Sequence, residues 1–182
     1  MVLLNSAMVP LGTEAVDFHL KGVDDREHSL DSFSDSEVLV LIFMCNHCPY
    51  VKATIGRLVA LAEKFRERGV LFVGINPNDA VNYPEDSFEN MKVFAAESGM
   101  FFPYLHDETQ EVAKAYDAVC TPDIYLYGSE RRLLYRGRID DNWQDESQVT
   151  SRDLQSAIET VLEGRPLSDE QHPSMGCSIK WK

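Results

Sequence analysis

Seven consecutive apolar residues, Val38–Met44, run directly into Cys45-Asn46-His47-Cys48, and helical spacing begins just beyond. A run so short, carrying the β-branched Val38, Val40 and Ile42, suits a strand buried on both faces. After it Ile55, Leu58, Val59, Ala62 and Phe65 repeat at helical spacing, and Gly69 stands where such a helix stops. Val70–Ile75 is a second buried strand. Two such strands joined through a helix ask for parallel pairing in a sheet covered on both sides.

The remaining segments extend that frame. Val16–Leu20 and Glu27–Leu30 flank turn residues 22–25 and predict an N-terminal hairpin. Tyr83-Pro84 opens an expected helix whose inner face is Phe88, Met91, Phe94 and Ala95, and Phe101–Leu105 reads as a short extended piece. Asp107 and Gln110 resemble a capping box before a helix with Val112, Ala113 and Tyr116. Ile124–Tyr127 and Leu133–Gly137 bracket Gly128-Ser129-Glu130, a hairpin signal, and Thr150–Glu163 is an amphipathic helix ending at Gly164. From Gly164 onward the tail is expected to be irregular. The whole predicts one α/β domain over residues 1–182, a mixed central sheet flanked by helices.

At 182 residues the chain is about one domain long and can bury an ordinary core without staples. Its 30 acidic against 17 basic residues give a formal charge of −13, which disfavours nucleic acid and anionic membrane as partners. Residues 1–11 carry no basic n-region or cleavage site, and the longest apolar run is far short of the roughly 20 residues of a membrane span. The expectation is a cytoplasmic protein. Thiols are kept reduced there, and four cysteines are too few for a disulfide scaffold, so each needs its own explanation.

Cys45 and Cys48 lie where strand gives way to helix. A thiol pair at that spacing can close a small disulfide across the first helical turn, where free amides and the helix dipole stabilise a thiolate. His47 places a titratable cation between the two sulfurs. On this reading Cys45, the outer thiol, has the lowered pKa and attacks, while Cys48 resolves the mixed disulfide. A C-x-x-C is also half a zinc site, but no second pair follows, and Cys120, Cys177 and His172 could complete one only through the fold. Two inert core cysteines would sit oddly at such a junction.

Strand, C-x-x-C and helix, followed by Thr121-Pro122 ahead of a strand, resemble the thioredoxin superfamily. Asp17-Phe18-His19-Leu20 with Ser29-Leu30, the stretch Phe43–Lys52 (FMCNHCPYVK), Gly74-Ile75-Asn76 and the tail Gly176–Trp181 (GCSIKW) resemble its redoxin, peroxiredoxin-like branch of alkyl hydroperoxide reductase/thiol-specific antioxidant type. The resemblance implies a thioredoxin-like fold with an N-terminal β-hairpin extension and an inserted helix near residues 76–100. It also implies a cis Thr121–Pro122 bond facing the cysteines, with the Thr121 backbone offered to a substrate strand. The implied activity is thiol–disulfide exchange, without organic cofactor or resident metal, with protein or small-molecule disulfides and dithiol reductants as partners.

Two departures qualify the resemblance. Leu39 stands where thioredoxins carry a buried Asp, and Asn-His replaces the usual Gly-Pro between the cysteines. His47 would stabilise the reduced form, which predicts a pair more oxidising than thioredoxin at about −270 mV. The rival reading is a thiol peroxidase with Cys48 as its peroxidatic residue. Cys45 then takes the place of the Thr or Ser hydroxyl that peroxiredoxins use there. Copper or zinc binding through the cysteines ranks third, because copper-binding relatives usually space the pair by three residues. Cys120, next to Thr121, is a possible additional redox thiol, and a tail thiol such as Cys177 is more often passive. Asp140-Asp141-Asn142 reads as a cap or carboxylate turn.

Overall fold

The computed structural model describes residues 2–182, so Met1, the first residue of the expected domain, lies outside the described residues. Its strands are β1 (Leu3–Asn5), β2 (His19–Gly22), β3 (Glu27–Ser29), β4 (Val38–Phe43), β5 (Val70–Asn76), β6 (Tyr104–His106), β7 (Cys120–Thr121), β8 (Asp123–Tyr127), β9 (Leu133–Arg136) and β10 (Met175–Ser178). The helices are α1 (Pro49–Phe65), α2 (Phe88–Glu97), α3 (Glu111–Ala115) and α4 (Asp153–Leu162).

The main sheet has seven strands in the order β3-β2-β6-β5-β4-β8-β9. β4 is central, parallel to β5 and antiparallel to β8, and the late hairpin β8–β9 closes the edge. Because successive side chains alternate, β4 feeds two cores. Val38, Val40 and Ile42 pack with α1, α4 and Met91 of α2, together with Cys45, Cys48 and Cys177. Leu39, Leu41 and Phe43 pack on the other face with Phe18, Phe33, Tyr116, Tyr125 and Tyr127. Every side chain of β4 is fully buried, as its uninterrupted apolar sequence predicts. Leu39 thus fills core space, and no carboxylate stands in its place.

α1 ends through Arg66–Arg68 at Gly69, whose φ of 73° is the left-handed conformation that glycine adopts without cost. The inserted helix differs at its start from the sequence expectation. Pro84–Asp86 forms a single 3₁₀ turn, and α2 begins after Ser87, whose hydroxyl accepts the Asn90 amide. The expected capping box at Asp107 and Gln110 does not form. Asp107 Oδ2 instead accepts the Ala113 amide at 2.8 Å, while the Gln110 side-chain amide donates to the Pro77 and Lys180 carbonyls.

The tail also departs from expectation. β10 forms within it and joins β1 and β7 in a separate three-stranded antiparallel sheet of order β1-β10-β7. Cys177 pairs with Thr121 on one side and with Leu3 on the other. This small sheet brings the C-terminal strand against the start of α1.

Candidate active site

Cys48 is the N-cap residue of α1, with Pro49 in the first helical position, where its missing amide costs nothing. The cap of the helix therefore lies three residues after Cys45. Cys45 and Cys48 are both fully buried, and Cys177 is nearly so. The Thr121–Pro122 bond is cis, as the resemblance implies, and Thr121 faces both active-site sulfurs. Cys45 Sγ lies 3.4 Å from Thr121 Oγ1, and the Cys48 thiol lies 3.1 Å from the Thr121 carbonyl oxygen. On its other side Cys48 Sγ is 2.9 Å from Cys177 Sγ.

Charge in this cluster favours Cys48. The Cys45 thiol donates to its sulfur, and despite burial the Cys177 thiol and the Val51 amide add to that effect, holding Cys48 well below an ordinary thiol. Cys45 is pushed up by the same hydrogen bond, then by burial and the Asp86 charge. The expectation placed the lowered thiol on Cys45. The difference follows mainly from the hydrogen bond between the two thiols, to which Cys177 and the Val51 amide add on the Cys48 side.

His47 turns its Nδ1 to a carboxylate that sequence reasoning missed. Its Nδ1 lies 2.6 Å from Asp86 Oδ2, and its ring stacks on Tyr83. Asp86, fully buried in the turn before α2, also accepts from Asn78 Nδ2 and from the Asn46 amide, both at 2.7 Å. Burial alone would raise this carboxyl, but the hydrogen bonds from His47, Asn78 and Asn46 outweigh it and hold it low. The bond to Asp86 in turn raises the His47 imidazole. Asp86 is one of 30 acids in the chain, and nothing in its neighbourhood marks it.

Cys45, His47 and Asp86 bring sulfur, nitrogen and oxygen ligand atoms within 4.8 Å of one another, a donor set zinc accepts. The distant His172 does not join them; it lines a cavity of about 270 Å³ beyond Pro122, with Tyr50, Trp143 and Met175. Trp143 lies over Tyr50 with ring centroids 4.0 Å apart. The Asp140-Asp141-Asn142 turn takes the Arg57 guanidinium as its cation. Arg57 pairs with Asp140 at 2.5 Å and donates to the Asn142 and Trp143 carbonyls, fixing that loop to α1.

Cys120 is buried on β7, its sulfur 3.8 Å from the Pro122 carbonyl, and burial followed by the Asp123 charge pushes its thiol up. Outside the C-x-x-C, the thiol hydrogen-bonded to Cys48 is Cys177, and the Thr121 main chain pairs with β10. That edge was expected to be open to a substrate strand. Gly176 explains the closure, since a Cβ there would lie 2.0 Å from the Thr121 carbonyl oxygen. Asp123, directly after Pro122, is a second buried acid that sequence reasoning missed, although its place beside the Thr-Pro pair could have drawn attention. Burial pushes it up to about 7, and its Oδ1 has no partner among the described residues.

The chain is similar over its full length to an uncharacterized conserved protein from Geobacillus kaustophilus, at 49% identity, TM-score 0.95 and 97% of that chain. A hypothetical protein from Sinorhizobium meliloti 1021 shares 41% identity over 98% of both chains, with TM-score 0.93. At 16% identity, the thioredoxin domain of a thiol-disulfide oxidoreductase from Bacteroides vulgatus aligns over 85% of this chain and 99% of its own, with TM-score 0.67, and shows the shared thioredoxin-like fold. No curated protein is similar enough to count as a match. Residues 11–136 match the AhpC/TSA family. The chain therefore belongs to the AhpC/TSA family, and its mixed sheet with flanking helices is that family's thioredoxin-like redox fold.

Proposed function

We propose that this protein is a thiol–disulfide oxidoreductase that works through a Cys45/Cys48 dithiol–disulfide couple. The observation that carries the reading is the Cys48 sulfur at the N-cap of α1, with the Cys45 thiol donating to it. A thiolate held there is the nucleophile that exchange requires. Cys48 attacks one sulfur of a substrate disulfide, forms a mixed disulfide and releases the first thiolate. Cys45 then attacks Cys48 Sγ, its proton passing to the departing second thiolate, and the Cys45–Cys48 disulfide remains. Two electrons have moved to the substrate, and a dithiol reductant returns them by the reverse route. The bond to Asp86 favours the charged form of His47, and an imidazolium at this place favours the reduced form of the pair.

A thiol peroxidase is the second reading, favoured by the family match and by a lowered thiol at a helix N-terminus. Cys45 offers a thiol where a peroxidase would orient peroxide with a hydroxyl. The test mixes reduced protein separately with glutathione disulfide and with hydrogen peroxide, following Trp143 fluorescence and free thiols. Exchange should be the faster reaction and should disappear in Cys48→Ser. Rapid, saturating oxidation by peroxide beside sluggish exchange would transfer the protein to the peroxidase class.

A further inference from the structure

We propose that Cys177 is a second resolving thiol, so that Cys48 can close a disulfide with the C-terminal strand as well as with Cys45. The proposal rests on the thiol-exchange reading and extends it to a residue outside the C-x-x-C. Cys48 Sγ is already 2.9 Å from Cys177 Sγ. Disulfide formation would bring them to about 2.05 Å, a movement of less than about 1 Å that side-chain rotation can supply. Neither sulfur needs to reach the surface for this step, whereas any outside thiol must first enter a site in which Cys45 and Cys48 have no exposed area.

β10 holds Cys177 in that place from both ends. Before it, the Ser174 hydroxyl donates to the Gly137 carbonyl at 2.6 Å, and the Ser6 amide donates to the Ser174 carbonyl. After it, the Ile179 amide donates to the Val119 carbonyl at 3.0 Å, and the Lys180 amide to Asn78 Oδ1 at 2.9 Å. Between these anchors Gly176 lets the strand approach Thr121 more closely than any side chain would permit. A strand added to a sheet edge is the way an extended peptide docks. Here the chain's own terminus fills the edge beside Cys48 and delivers a sulfur to it.

The step balances without a further reagent. With glutathione disulfide as oxidant, the Cys48 thiolate takes one glutathionyl sulfur and releases one glutathione. The Cys177 thiol then gives its proton to the second departing glutathione as its sulfur bonds to Cys48 Sγ. Two protein thiols are oxidised, and one glutathione disulfide is reduced to two glutathiones.

The experiment uses the full chain as Cys45→Ser, with Cys45→Ala as a second form in case the serine disturbs folding. After reaction with glutathione disulfide, released glutathione is counted and the tryptic peptides are mapped by mass. The expected result is two glutathiones per chain and a cross-linked pair of peptides carrying Cys48 and Cys177. Cys45→Ser/Cys177→Ser should release one glutathione and keep the other half of the disulfide as a lasting adduct on Cys48. A single glutathione released by Cys45→Ser, with a lasting adduct on Cys48, overturns the role of Cys177 alone. If the double variant forms no adduct either, the exchange reading falls with it.

Discussion

The seven-stranded sheet and the small β1-β10-β7 sheet meet at Pro122, yet different forces hold them. The large sheet is built on β4, whose six residues are all buried and whose alternate side chains feed cores on both faces. Hydrophobic burial explains it, and its inner strands follow from local apolar runs. The small sheet contains an exposed β1, a two-residue β7 and a β10 of Met-Gly-Cys-Ser. Main-chain hydrogen bonds and the close approach at Gly176 keep it together, and it presses three thiols into one cluster. Stability is thus concentrated in one sheet, while the arrangement of the reactive groups depends on the other.

Substitutions can break that division. Leu41→Ala, in the middle of β4, should cost about 2–5 kcal/mol through lost burial and a cavity. A shifted denaturation midpoint would measure it, and the alkylation rate of Cys48 in the folded variant should stay as it was. A large change in that rate would show that the two sheets are not separable. Gly176→Ala should cost less, about 1–3 kcal/mol, because β10 must move off Thr121 to admit the new Cβ. Its main effect should be on chemistry: Cys48 is alkylated faster by iodoacetamide, and the Cys48–Cys177 link forms in lower yield. Unchanged alkylation in a folded Gly176→Ala protein would mean that β10 does not guard the site.

The same division governs what was legible in the sequence. β4, α1 and β5 follow from unbroken apolar runs and helical spacing, since burial writes itself into local pattern. β1 and β10 carry no alternation and no β-branched run, and they pair with each other across more than a hundred residues, as Leu3 does with Cys177. Cys177 was visible as a residue, but its place against Cys48 was not. The C-x-x-C was legible, while the hydrogen bond that ties Cys48 to Cys177 was not, because the two lie 129 positions apart. Helix starts are commonly uncertain by a residue or two, and here the cap falls on Cys48, at the end of the C-x-x-C. Asp86 reaches His47 from a turn 39 positions on, across a stretch with no motif of its own.

The smallest expected effect separates the two ends of the site. Asp86→Asn keeps an oxygen for the Asn46 amide but removes the charge that faces His47 at 2.6 Å. The His47 imidazole should then titrate lower than in the native protein, since burial remains and the raising bond is gone. In the native protein a raised imidazole contributes stability that is fully present below its ordinary value of about 6.5 and is lost as pH climbs through the raised one. The depressed Asp86 carboxyl contributes stability present above about 3.9 and lost as pH falls through its lowered value. Both slopes should flatten in the variant, read by denaturation across pH with the imidazole followed by NMR. An unmoved His47 would show that Asp86 does not hold its proton. A lowered His47 with an unaltered pH profile of Cys48 alkylation would mean that the thiolate is kept by the start of α1 and the neighbouring thiols alone, and that the imidazole–carboxylate pair serves to join the loops of Asn46 and Asn78 instead.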